Sequence, residues 1–167
     1  METDAYDAAQ SIFRGTFDLA DIVFLIILLF LLLCSALASA SEVAYFSLSP
    51  GELEKLKEKG YDKVANLHQK PNLLLSTILI TNNFVNVGIV ILSTYLVNSL
   101  FNLSANPVLG FIIQVIAVTF IILMVGEIIP KLYANRSQEK VVILMTGPLL
   151  FLSHLFRPLS YLLIKST

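Results

Sequence analysis

Apolar residues crowd into three long runs, at about 22–46, 72–98 and 108–130, and charge is squeezed into what lies between and around them. Since ~20 predominantly apolar residues already cross ~30 Å of hydrocarbon, each run is long enough for a transmembrane helix. The first is bulky in its first half, with Phe24, Leu25, Ile26, Leu29 and Phe30, and small in its second half: Cys34, Ser35, Ala36, Ala38, Ser39, Ala40 and Ser41. Bulky side chains suit lipid, whereas small ones let a neighbouring backbone approach, so the second half is where the chemistry is expected. Between the first two runs the pattern is mixed. Ser49-Pro50-Gly51-Glu52 reads as a helix start with a capping box and a proline at the first helical position. A short helix at 52–59 ends at Gly60, and a second occupies 61–69, making a charged helical hairpin over 50–70. Asn98, Asn102, Ser104, Asn106 and Pro107 mark the turn between the second and third spans.

The tail is harder to place. Residues 141–164 are apolar enough to span, but Gly147-Pro148 and Arg157-Pro158 interrupt them, and His154 and Arg157 share a face. A kinked juxtamembrane helix over 136–167, lying along the interface, fits this better than a fourth span. The expected architecture is an all-α membrane protein: an extracytoplasmic segment at 1–20, a three-helix transmembrane domain at 21–135, and that interfacial helix.

Composition agrees. The chain is 56% hydrophobic and 14% charged, where soluble domains carry about 25% charged residues. Of its 11 Lys and Arg, all but Arg14 fall within 55–70 or 131–165, while Glu2, Asp4, Asp7, Asp18 and Asp21 precede or open the first run. The positive-inside rule then puts the hairpin and the C-terminus in the cytoplasm and the N-terminus outside. A cleaved signal peptide ending near Ala38 or Ala40 is disfavoured by the long, acidic leader. The lone Cys34, in an apolar run, excludes a disulfide framework and is expected to be a small buried thiol.

Glu127 stands out against this background. It ends an uncharged run over 71–126, and an acid at a helix centre costs roughly 2.5–3.5 kcal/mol on insertion scales, so it is expected to face a partner or a wet cavity. Other oxygen donors fall in the spans: Ser35, Ser39 and Ser41 on the first, and Asn82 and Asn86, four apart on one face, on the second. Pro130 lacks an N–H, so in an α-helix the Gly126 carbonyl loses its partner, and Gly126 with Pro130 should kink the helix and allow it to move. Hydroxyls, amide oxygens, a carbonyl and one carboxylate are hard ligands suited to Mg²⁺, Ca²⁺ or Na⁺. Each also has a plainer reading: asparagine as interhelical glue, serine as a packing residue, Glu127 paired with Lys131. Glu42 is expected at the rim of the same cavity. No nucleophile–base pair, phosphate loop or basic–aromatic nucleic-acid patch is present, so neither an enzyme nor a nucleic-acid partner is expected.

At Ser39-Ala40-Ser41-Glu42, Thr81-Asn82-Asn83-Phe84-Val85-Asn86 and Gly126-Glu127-Ile128-Ile129-Pro130-Lys131, the chain resembles the transmembrane domain of the CNNM/CorC family of magnesium transporters. The likeness covers most of 20–160. It implies three spans, a cytoplasmic juxtamembrane helix, a homodimer, and Mg²⁺ held in an inward-facing cavity and exported against Na⁺ entry across a bacterial inner membrane. By motif position the implied ligands are Ser39, Asn82, Asn86 and Glu127, with the Gly126 carbonyl, Ser35 and Ser41 as secondary donors. Thr81 stands where relatives often have glycine. Family members usually continue into paired CBS domains, which are absent from these 167 residues. A rival expectation is a Mg²⁺-sensing or scaffold subunit that does not transport.

Overall fold

The computed structural model describes residues 18–101 and 107–156, the side chains at 107 and 109 excepted. Its regular elements are helical: α1 (Leu19–Phe46), α2 (Pro50–Glu58), α3 (Asp62–His68), α4 (Pro71–Leu100), α5 (Pro107–Ile121), a π-helical segment (Ile122–Ile128), α6 (Ile129–Arg136) and α7 (Gln138–Leu155). Among the described residues, three helices are long and apolar enough to cross a membrane: α1, α4, and the continuous rod Gly110–Arg136 that joins α5, the π segment and α6.

Local chemistry sets their ends. α1 starts three residues before the expected 22 because Asp18 caps it, its carboxylate accepting from the Leu19 N–H at 2.7 Å, and Asp21 accepts from the Asp18 N–H at 3.2 Å in return. The third rod runs on to Arg136 and does not stop near 130: Pro130 stands in the first turn of α6, directly after the π segment, where the hydrogen-bond register changes. The Ser49–Glu52 capping box forms as the sequence predicts, and the Ser49 hydroxyl and N–H hold the Glu52 carboxyl below its ordinary pKa. Gly60 closes α2 at φ +86. There the Tyr61 N–H reaches the Leu56 carbonyl at 2.9 Å and the Gly60 N–H the Lys57 carbonyl at 2.8 Å, a Schellman ending that an L side chain would strain.

Packing follows the division within α1. Its bulky half exposes Ile26, Leu29, Phe30 and Leu33, whereas Ser35, Ala38, Ser39, Ala40, Ser41 and Ala44 in the small half are buried. Cys34 is only partly buried, beside the cluster of Val85, Ile89 and Ile122, because it sits where the bulky half gives way to the small one. A larger core, with Tyr45, Leu56, Leu74, Ile78, Val142 and Leu149, joins the end of α1 to the short helices, the start of α4, and α7. α7 has Pro148 in its interior and packs against α1, α3 and α4, burying Val142 and Leu149 while Leu144 and Phe151 stay exposed. Arg157, expected to share a face with His154, and residues 102–106 of the expected turn lie outside the described residues, while Asn98, expected to open that turn, lies within α4, which runs on to Leu100.

Tyr45 ties α7 to α1 through its hydroxyl, 2.7 Å from Thr146 Oγ1, which in turn donates to the Val142 carbonyl. Tyr45→Phe should cost about 0.5–1.5 kcal/mol, because Thr146 keeps its second partner. Tyr45→Ala should cost about 3–5 kcal/mol by opening a cavity in the same core. Denaturant unfolding of the two variants checks the order.

Candidate cation site

Two helical spacings and one local defect build the site. Ser35 and Ser39 lie four apart on α1, and Asn82 and Asn86 four apart on α4, so each pair shares a face. The third rod contributes Gly126 and Glu127 from the π segment, where the Ile129 N–H bonds to the Met124 carbonyl, five residues back. Such bulges insert a residue into a helix and recur at functional sites. In that register the missing Pro130 N–H falls opposite the Val125 carbonyl.

The residues meet at Ser35. Its Oγ lies 3.0 Å from Asn82 Oδ1 and 2.8 Å from Asn86 Oδ1, and Asn86 Nδ2 reaches Glu127 Oε1 at 3.5 Å. Gly126 is what allows this approach, since a Cβ built there would lie 2.9 Å from Ser35 Oγ. A serine hydroxyl carries one hydrogen and faces two amide oxygens, so one proton is shared among three converging oxygens. The arrangement is electron-rich. Among the described residues no three of His, Cys, Asp and Glu cluster, and the donor set at this point is hydroxyl, amide and carboxylate oxygen.

The remaining expected donors are placed differently. Ser39 is 1% exposed and its Oγ has no hydrogen-bond partner, a state that costs roughly 1–3 kcal/mol in a protein interior. Ser41 donates its hydroxyl to the Leu37 carbonyl at 2.6 Å, and Thr81 donates its own to the Thr77 carbonyl at 2.8 Å, each within its own helix and outside the hydrogen-bonded group at Ser35. Lys131 pairs at 2.9 Å with Glu42 and so joins the ends of α1 and α6, in place of the alternative in which it pairs with Glu127. Ser35, secondary in the sequence reading, is the hub of the hydrogen-bonded group. Its signal was the four-residue spacing to Ser39 together with a glycine on a facing helix.

A family model described as the Cyclin M transmembrane N-terminal domain matches residues 26–167. A UPF0053 protein of Haemophilus influenzae is 36% identical over 141 residues, which are 83% of this chain and 32% of that protein. The UPF0053 inner membrane protein YfjD of Escherichia coli is 32% identical over 132 residues, 77% of this chain and 30% of that protein. A UPF0053 protein of Synechocystis is 27% identical over 140 residues, 81% of this chain and 39% of that protein. The chain thus spans about a third of the length of the curated relatives it matches.

Gly126→Ala should force the Ser35 hydroxyl away from the asparagines and cost about 1–3 kcal/mol. In the Ser35→Ala background the same change should cost little more, because the clashing hydroxyl is already gone and the Ser35 Cβ sits at an ordinary 3.5 Å from the new methyl position. A double-mutant cycle by thermal unfolding measures this coupling, and additive losses would show that the two residues do not interact.

Proposed function

The chain belongs to the CNNM family, as its transmembrane domain, and we propose that it carries Mg²⁺ across the membrane through the group centred on Ser35. The observation that carries this reading is the convergence of Ser35, Asn82, Asn86 and Glu127 from three spans, with two amide oxygens facing one hydroxyl.

Hard oxygens in that number suit Mg²⁺, which dehydrates reluctantly and keeps waters alongside one or two carboxylates. A lone carboxylate leaves a bound divalent ion with net positive charge, favouring moderate affinity and easy release. In this reading Asn86 turns its amide so that the oxygen faces the ion, which frees the Glu127 carboxylate to do the same. Ser39, buried and unpartnered, supplies a further hydroxyl one turn along α1, recovering the free energy its isolation costs.

The orientation proposed places the Lys-rich α2 and α3 and the region after Glu127 in the cytoplasm. Mg²⁺ then enters from the cytoplasm, exchanges part of its water shell for protein oxygens, and leaves outward when the rods rearrange about Gly126 and Pro130. Sodium entry as the driving force, a homodimeric assembly, α7 lying along the cytoplasmic interface, and residence in a bacterial inner membrane complete the proposal. For the last, the printed name of the Escherichia coli relative is a support.

Glu127→Gln, Asn82→Ala and Asn86→Ala should each abolish the thermal protection that Mg²⁺ gives the purified protein, with expression unchanged. Unchanged titrations in all three would move the site elsewhere. Proteoliposomes loaded with a Mg²⁺-sensitive dye should show flux that depends on a Na⁺ gradient. A flat trace with binding retained would instead make this chain a Mg²⁺-sensing or scaffold subunit.

A further inference from the structure

A second recess lies away from the spans' polar centre, between α3, the start of α4 and the end of α7. It has a volume of about 180 Å³ and is lined by Asn66, Leu67, Lys70, Leu73, Leu150, Ser153 and His154. The geometry points to this recess as a binding site for the headgroup of an anionic phospholipid.

Charge is the first support. Lys70 has no ion-pair partner among the described residues, whose ion pairs are Lys59 with Glu139 and Lys131 with Glu42. No carboxylate lines the recess. Lys70 is also the N-cap of α4, a helix of 30 residues whose N-terminus no side chain caps. The positive end of that helix dipole therefore adds to the lysine's charge.

The other lining residues supply directional contacts. The His154 Nδ1 is 2.7 Å from the Leu150 carbonyl, so Nδ1 carries the hydrogen and Nε2 of the neutral ring is an acceptor, suited to a headgroup hydroxyl and not to the phosphate oxygens. Asn66, exposed on α3, offers amide hydrogens that no described group takes. Ser153 donates to the same Leu150 carbonyl at 2.8 Å, so it too presents only an acceptor to the recess, and Lys70 and Asn66 are left as the donors to a phosphate.

Position and polarity choose the lipid over a free anion. Lys70 stands immediately before the uncharged run that opens at Pro71, where a span meets the membrane surface and a lysine's ammonium sits at headgroup level. Three of the seven lining residues are leucine: Leu67, Leu73 and Leu150 form an apolar wall beside the polar groups. Inorganic phosphate has no use for such a wall, whereas a phosphodiester with its glycerol and first acyl carbons matches both halves. In the orientation proposed above this is the cytoplasmic leaflet, where anionic lipids attract basic juxtamembrane residues. The lipid contact itself does not depend on Mg²⁺ transport.

The test uses the full chain in a neutral detergent, with bound lipid counted by native mass spectrometry and affinity read from melting temperature. Short-chain phosphatidylglycerol should bind one per protomer and raise the melting temperature. Short-chain phosphatidylcholine, with the same phosphate but no net charge, should bind at least about tenfold more weakly. Lys70→Gln and Asn66→Asp should each weaken phosphatidylglycerol by about five- to tenfold, and the exposed Asn66 tolerates change should the Lys70 variant fold poorly. Both variants should keep full Mg²⁺ protection, which separates this site from the one at Glu127. Equal binding of the two lipids, or wild-type affinity in Asn66→Asp, overturns the proposal. Protection by inorganic phosphate alone, matching that by phosphatidylglycerol, would reassign the recess to a free anion and overturn the lipid assignment.

Discussion

The close approach of α1 to the third rod at Gly126 is the contact on which the polar centre depends. In hydrocarbon a polar group has no water to turn to, so each must find a partner inside the protein. Ser35, Asn82, Asn86 and Glu127 find one another only because a glycine leaves room for the serine hydroxyl, and because the π segment displaces the ladder just ahead of Pro130. In the cation reading proposed above, the oxygens that hold three helices together would also be the ones an ion draws on, at the cost of contacts that run from 2.8 to 3.5 Å.

Around that centre the two halves of α1 serve different solvents. Ile26, Leu29 and Phe30 face outward as lipid requires, while the serines and alanines after Cys34 let α4 and the third rod approach closely. Below them the core around Tyr45 fastens α7 and the short helices to the same α1 face. The Glu42–Lys131 pair joins the ends of α1 and α6 a few turns from Ser35. Any rearrangement of the third rod about Pro130 must therefore either carry that ion pair along or break it. Being partly exposed, the pair is screened and costs little to open.

Membership of the CNNM family fits a chain whose strongest local signals are all in the spans, since the matched family model is itself a transmembrane domain. The relatives are more than twice as long as this chain. The recess at Lys70 lies at the membrane surface end of α4, beside the last described turns of α7. A lipid held there would brace α7 against α4 and so stiffen the base on which the polar centre stands.

Hydropathy is a local property, and so the three spans, the charged hairpin, the Ser49 box and the Gly60 ending were legible from neighbouring residues alone; the structure moved their ends by a few positions, where Asp18 caps and where Pro130 fits the first turn of α6. Asn82, Asn86 and Glu127 were legible as well, because a polar side chain in an apolar run is conspicuous wherever it points. The partner of the asparagines was not. Ser35 and Ser39 have the same chemistry and the same helix face, and the choice between them is made across 47 and 51 residues of sequence by a glycine on a third rod. The recess at Lys70 is of the same kind, assembled from helices far apart in the chain. Contacts of that range depend on how rods cross, and crossing is decided by packing.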